Sequence, residues 1–456
     1  MSRPLPVEYT SVTAVHGPLL VLSGVQDVGF DEVARIRLAD GTTRTGVVLD
    51  VGRDLTVVEV YEGTAGVGTH EVRVQFEGSP MRIPTGEQWL GRVCNGRGEP
   101  RDGGPPIVGH SSAPVAGVPI NPAARATPRD PITTGISAID GMATLVRGQK
   151  LPIFSVGGLP HLELAAQIAS QATAGNDPFA VIFAAMGVTH ADAAAITERL
   201  EERATSGDLA LFINTADDPV IERLLTPRIA LTVAENLAFD RGRHVLVVMA
   251  DMTSYCEAVR EVSSVRGETP GRRGYPGYLY SDLASIYERA GRIRGHAGSV
   301  TQIPVLTMPA GDISHPVPDL TGYITEGQLV LSAERHLRGL YPPFEPLQSL
   351  SRLMRLGTGP GLTRDDHLAI SSQLYELAAE ARRSSDLADL IGVNALGGDD
   401  HQYLQFGAAL DSFLTQSRDQ AFGMAATLDR AWQAASAIPR RLLALPETML
   451  DTHYRG

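Results

Sequence analysis

The stretch that most constrains this chain is residues 151–168, LPIFSVGGLPHLELAAQI. Leu151 to Val156 is a short apolar run, and Gly157 and Gly158 turn it. Pro160 then opens a segment in which Leu164, Gln167 and Ile168 recur at helical spacing. A strand, a glycine turn and a helix with proline in its first turn form the frame of a phosphate-binding loop. There, backbone N–H groups and a helix N-terminus face an anion.

The chemistry of such a loop is missing. The pattern G-x-x-x-x-G-K-[ST] supplies a lysine for the terminal phosphates and a hydroxyl for magnesium. Laid over 155–162, its defining positions hold Ser155, Pro160, His161 and Leu162. No other lysine can stand in, because the chain has one, Lys150, among 39 lysines and arginines. Lys150 lies at the start of the strand, roughly 20 Å from the turn at about 3.3 Å per residue. Glu163 puts a negative charge where a phosphate would lie. Ser155, Gly157, Gly158 and His161 therefore read as a degenerate P-loop with weak or no nucleotide binding. An ordinary strand–turn–helix unit of an α/β protein has the same outline.

The flanking sequence divides into three parts. Residues 1–80 carry β-branched runs, Tyr9 to Val21, Val33 to Leu38, Thr45 to Val51 and Val57 to Tyr61, separated by turn clusters. Short strands at regular spacing predict a small N-terminal β-barrel, a closure that removes exposed edges. Residues 81–360 form the central part. It starts with an irregular Gly/Pro-rich bridge to about residue 130. From about 150 to 310, apolar runs at Ile153, Ala180, Leu209, Val245 and Val305 alternate with amphipathic segments such as Ala191 to Arg203 and Pro227 to Arg241. That alternation predicts a parallel α/β sheet covered on both faces, a P-loop-NTPase-like domain. Residues 361–456 lose the strand signal. Leu374, Leu377, Ala378 and Ala381 share one helix face, and Tyr403, Phe406, Leu410, Phe413 and Leu414 another. A third helix from about Phe422 to Ala437 completes a predicted C-terminal helical bundle.

Composition narrows the function classes. A net charge of −13 argues against general binding to nucleic acid or anionic membrane. Cys94 and Cys256 lack metal-ligand spacing, so buried free thiols and no metal site are expected. The MSRPLPVEYT start has no apolar signal core, and no 18-residue apolar run occurs. The expected location is cytoplasmic, with any membrane attachment made through partners.

Three further segments can carry chemistry, and a fourth lacks it. HVLVVMAD (244–251) is an apolar strand ending in Asp251. In P-loop proteins such an Asp holds magnesium; otherwise it caps the next helix. The turn AAMGVTHAD (184–192) follows another strand, where a water-polarising glutamate would be needed. It offers Val188, Thr189 and His190 instead, with Asp192 opening the next helix. GRRGYPG (271–277) presents Arg272, Arg273 and Tyr275 in a rigid loop suited to partner contact. SLSRLM (349–354) sets Arg352 among Leu350, Leu353 and Met354, a setting in which a guanidinium must be held in a defined direction.

Long motifs give these pieces a common frame: GRVCNGRGEPRDGGP (91–105), PRDPITTGISAIDG (128–141), FSVGGLPHLELAAQIASQA (154–172), PGRRGYPGYLYSDLASIYERAGR (270–292), MPAGDISHPVPDLTGYITEGQ (308–328) and YPPFEPLQSLSRLM (341–354). With the order barrel, α/β sheet, helical bundle, the chain resembles the non-catalytic B subunits of prokaryotic V-type/A-type rotary ATPases over essentially its whole length. The family's turn is commonly Gly-Ser-Gly; here it is Val156-Gly157-Gly158. The resemblance implies three B subunits alternating with three catalytic A subunits around a rotor stalk, with peripheral stalks and a membrane ion-translocating sector as further partners. It implies that ATP or ADP and Mg are held mainly on the A subunits. It also implies that Arg352 is an arginine finger acting in trans, and that the GRRGYPG loop faces the stalk.

Two other classes fit less. A self-sufficient hexameric ATPase of the export or helicase type needs the loop lysine, its hydroxyl neighbour and a water-positioning glutamate, all absent here. A nucleic-acid-binding ring is opposed by the acidic balance and the lack of an aromatic-basic stripe.

Overall fold

The computed structural model describes residues 7–456. The first six residues of the N-terminal segment considered above lie outside the described range.

The N-terminal strands are β1 (Glu8–Tyr9), β2 (Val12–His16), β3 (Leu19–Ser23), β4 (Glu32–Arg37), β5 (Thr43–Val51), β6 (Leu55–Val60) and β7 (Arg73–Pro80). They form one antiparallel sheet ordered β1-β7-β4-β5-β6-β3-β2. Its two edge strands are linked by Thr10 and Ser11 alone, so the sheet must curl round to bring them together. Leu20, Leu22, Ile36, Val48, Val58 and Val74 fill the interior. The apolar run from Tyr9 to Val21 is three strands, not one. Thr10 and Ser11 break it first, and Gly17, at φ 54°, turns it at Gly17-Pro18.

The central sheet contains β8 (Val93–Asn95), β9 (Ile153–Ser155), β10 (Phe179–Val188), β11 (Leu209–Thr215), β12 (His244–Ala250), β13 (Ser299–Thr307), β14 (Gly327–Val330) and β15 (Leu350–Ser351). Its order is β15-β14-β9-β13-β12-β10-β11-β8. All neighbours are parallel except β15, which runs antiparallel to β14. The bridge after the barrel is thus not wholly irregular, since β8 joins the sheet beside β11.

Helices α1 (His161–Gln171), α2 (His190–Thr205), α3 (Val220–Glu235) and α4 (Met252–Val265) follow strands of this sheet. Val181 and Phe183 of β10 pack with Leu164 of α1 and Ile196 of α2. The alternate residues Ala180 and Ile182 pack with Ile229 of α3 and Tyr255 of α4. One strand feeding two cores shows that both faces are covered. Helix α3 begins at Val220, ahead of Pro227, which lies inside it. Thr226 Oγ1 donates to the Glu222 carbonyl nearby, at 2.9 Å. Strand β13 also begins earlier than its apolar run, because buried Ser299, Thr301 and Gln302 belong to it.

The C-terminal helices α5 (His367–Ile391), α6 (Asp400–Leu414) and α7 (Met424–Ala435) match the three apolar periodicities. Leu374, Leu377, Phe406, Leu410 and Phe413 share a single cluster with Leu164 and Phe183 of the central domain. The bundle is therefore seated on one face of the sheet. Each such fully buried side chain contributes about 1.5–3 kcal/mol. Among the described residues no helix is long and apolar enough to cross a membrane.

Candidate functional site, a hollow loop and an outward arginine

Buried Ser155 ends β9, and the chain turns through Val156 and the exposed Gly157 and Gly158 into α1. Gly158 has φ 88°, a conformation that favours glycine, and open space lies where side chains of either glycine would stand. The strand–turn–helix outline of a phosphate loop is thus present, but the Leu159 and His161 N–H groups donate to the Val156 and Leu159 carbonyls, at 3.2 and 2.9 Å, and Pro160 has no N–H to offer. His161 occupies the first position of the helix. Its Nδ1 lies 2.8 Å from the Leu159 carbonyl and 3.3 Å from Ser155 Oγ. The imidazole is folded back on its own loop instead of reaching outward as a lysine would.

The next charged position is also paired within the chain. Glu163, in the first turn of α1, pairs with Arg418 from the C-terminal domain. Arg418 in turn stacks over the Tyr341 ring, 4.6 Å from its centroid. Tyr341 donates to Gln167 of α1 at 2.8 Å. Nothing in the local sequence signals this contact, since Arg418 is 255 residues from Glu163.

Asp251 follows β12 and caps α4, its Oδ1 accepting from Thr253 N at 2.7 Å. Its Oδ2 accepts from Thr307 Oγ1 at 2.8 Å. Burial pushes this carboxyl above its ordinary range, against the pull of those hydrogen bonds. Both oxygens are engaged within the chain. Val188 is buried, Thr189 caps α2, and Asp192 donates its backbone N–H to Thr189 Oγ1 at 3.1 Å. The turn's one carboxylate, Asp192, accepts from Thr189 Oγ1 at 2.7 Å.

The GRRGYPG loop divides its residues between two environments. Arg272 and Arg273 are exposed, paired with Asp319 at 3.1 Å and Asp312 at 2.7 Å. Tyr275 is buried instead, its hydroxyl donating to Glu257 and its ring edge-on to His315. It fastens the loop from below.

Arg352 directly follows the edge strand β15. Its apolar neighbours do not bury it: Arg352 is exposed and Leu350 is 44% exposed, whereas Met354 alone turns fully inward. The direction expected from an apolar setting comes instead from hydrogen bonds. Arg352 N donates to the Glu326 carbonyl at 3.0 Å, and Nη1 donates to the Thr325 carbonyl at 3.2 Å. Among the described residues no carboxylate forms an ion pair with it.

A curled β domain, a P-loop-type parallel sheet and a helical C-terminal domain define the architecture of a nucleotide-binding ATPase subunit. Family models agree in the same order. The ATP synthase alpha/beta family beta-barrel domain matches residues 12–78, its nucleotide-binding domain residues 135–351, and the C-terminal domain of V and A type ATP synthase residues 356–454. A V-type ATP synthase beta chain of Halothermothrix orenii is 51% identical, over 99% of this chain and 98% of its own. The B subunit of an A-type ATP synthase from Aeropyrum pernix is 52% identical, over 96% of this chain and 95% of its own. A solved ATP synthase subunit, NeqB from Nanoarcheaum equitans, superposes with a TM-score of 0.74 at 35% identity, covering 92% of this chain and 100% of its own. The chain belongs to the V/A-type ATP synthase B-subunit family.

Proposed function

We propose that this chain is a non-catalytic, regulatory B subunit that completes an active site carried by another chain. In this reading it alternates with catalytic A subunits in a hexameric ring, peripheral to the cell membrane on the cytoplasmic side. ATP or ADP and Mg sit on the A subunits, and Arg352 reaches across as an arginine finger to the γ-phosphate held there. Ring geometry then couples nucleotide state to a rotor stalk and to ion transport, with Arg272 and Arg273 of the GRRGYPG loop facing the stalk.

The observation that carries this reading is the contrast at His161. The position where a lysine would meet phosphate holds an imidazole hydrogen-bonded to its own loop, while Arg352 is exposed with no carboxylate partner among the described residues. An unpaired exposed guanidinium is free to pair with phosphate oxygens, and a finger supplied in trans raises turnover by about 10³ to 10⁵ in other NTPases.

The test is ATP hydrolysis by the purified chain, alone and mixed with its cognate A subunit. Silence alone with turnover in the mixture is the expected result. Robust hydrolysis by the chain alone overturns the proposal.

A further inference from the structure

We infer that Lys150 is a positioning residue for Arg352, a role that rests on the reading of Arg352 as the group entering the partner's site. The chain's single lysine is buried, and its ammonium lies between two carboxylates. Nζ is 2.8 Å from Glu288 Oε1 and 2.9 Å from Glu326 Oε1. The backbones close the same contact. Lys150 N donates to Glu326 Oε2 at 2.8 Å, and Glu326 N donates to the Lys150 carbonyl at 3.0 Å. Lys150 thus grips Glu326 by side chain and main chain together.

Glu326 and the residue before it are what Arg352 hangs from. The Glu326 carbonyl accepts from Arg352 N, and the Thr325 carbonyl accepts from the Arg352 guanidinium. The neighbouring Gln149 braces the same point, its Nε2 donating to the Glu326 carbonyl at 3.0 Å and to Ser351 Oγ at 2.8 Å. Ser351 Oγ donates onward to the Thr144 carbonyl at 3.0 Å. The path from Lys150 to the guanidinium therefore runs through Glu326 and Thr325 by ion pair, main chain and hydrogen bond.

The two carboxylates depend on Lys150 unequally. Glu288 has a second cation, Arg125, whose Nη2 lies 2.6 Å from its Oε2. Among the described residues Glu326 has no other ion-pair partner. Removing the ammonium leaves Glu326 partly buried and unpaired, and its least costly relief is to swing toward water. That motion carries with it the backbone that holds Arg352. A compact ammonium with three donors satisfies two converging carboxylates where the broader, planar guanidinium would not fit the same gap. This gives a chemical reason for the chain's single lysine to stand here and not an arginine.

The experiment measures steady-state ATP turnover of the reconstituted A–B complex for Lys150→Met, Arg352→Ala and the double variant, with assembly followed by gel filtration. Lys150→Met is expected to lower kcat about ten- to a hundred-fold with KM little changed, because a misplaced group weakens the transition state and not substrate binding. In the Arg352→Ala background it is expected to cost nothing further. An equal loss in both backgrounds assigns Lys150 a general structural role and overturns the inference, as does normal kcat in Lys150→Met. If Arg352→Ala itself leaves turnover intact, the finger reading fails, a distinguishable result. Should Lys150→Met fail to fold, Glu326→Gln removes the ion pair while keeping side-chain shape and is read in the same cycle.

Discussion

The loop after β9 and the segment after β15 lie two strands apart in one sheet and point in opposite chemical directions. The loop stands at the carboxyl end of β9. Arg352 stands at the amino end of β14, because β15 pairs Ser351 with Gly327. At the loop the polar side chains are engaged within the chain: His161 on Leu159, Asp251 on Thr253 and Thr307, and the exposed Glu163 on Arg418. At the other end the guanidinium donates to the Thr325 carbonyl and has no carboxylate partner among the described residues. The difference teaches how the frame of a phosphate loop can stand without the side chains that define one. The strand–turn–helix frame is held by the apolar packing of Ile153, Leu164 and Ile168, which needs neither lysine nor hydroxyl. Lys150, too far from the loop to serve it, sits at the end where Arg352 is anchored.

The largest expected effect tests the outward end. Arg352→Lys keeps the charge and loses the planar fork that matches phosphate bidentately. ATP turnover of the A–B complex is expected to fall by about 10³-fold or more, with assembly unchanged by gel filtration. Turnover near the unmodified rate would break the contrast between the two ends.

A smaller effect concerns two imidazoles buried away from the loop. His244 begins β12, the strand leading to Asp251, and its Nδ1 lies 2.9 Å from Ser299 Oγ. His367 begins α5, with Nε2 3.3 Å from the Gly141 carbonyl. Burial pushes each imidazole down, to about 4. A depressed imidazole pKa means that the folded state holds the neutral ring. The stability it brings is therefore present above pH 6.5 and is lost as pH falls from there towards 4. Each site is expected to cost on the order of 2–3 kcal/mol over that window. Thermal melting across that range should show this slope, reduced by His244→Gln and by His367→Gln. A slope unchanged by both substitutions would remove these two rings as its cause.

How much of this was legible in the sequence depended on distance along the chain. The frame at 151–168, the apolar strands and the three C-terminal helix faces are local patterns, and they fold as their periods dictate. The missing lysine was legible for the same reason, since it is a single position in a fixed spacing. Arg352 was legible as a residue but not as an environment. Leu350 suggested an apolar setting, yet an edge strand leaves one side to solvent. Tyr275 had the composition of a contact residue and is instead the buried fastening of its loop. The Glu163–Arg418 pair and the Lys150–Glu326 clamp join residues far apart in sequence, and no local period encodes such a meeting.

The smallest expected effect is none at all, and it sharpens the comparison most. His161→Lys with Leu162→Thr restores the two side chains that define the phosphate loop. The new lysine would enter a strand–turn–helix loop in which Gly157 and Gly158 leave open space beside it. Binding of a nucleoside triphosphate can improve on that change alone. Hydrolysis cannot, because a bound phosphate still needs a polarised water, and the turn that would supply the base presents buried Val188. The isolated double variant is therefore expected to stay silent in a phosphate-release assay. Clear turnover would mean that another carboxylate reaches the loop, and the inward-folded end of the sheet would have to be regarded as a working site held off by two side chains.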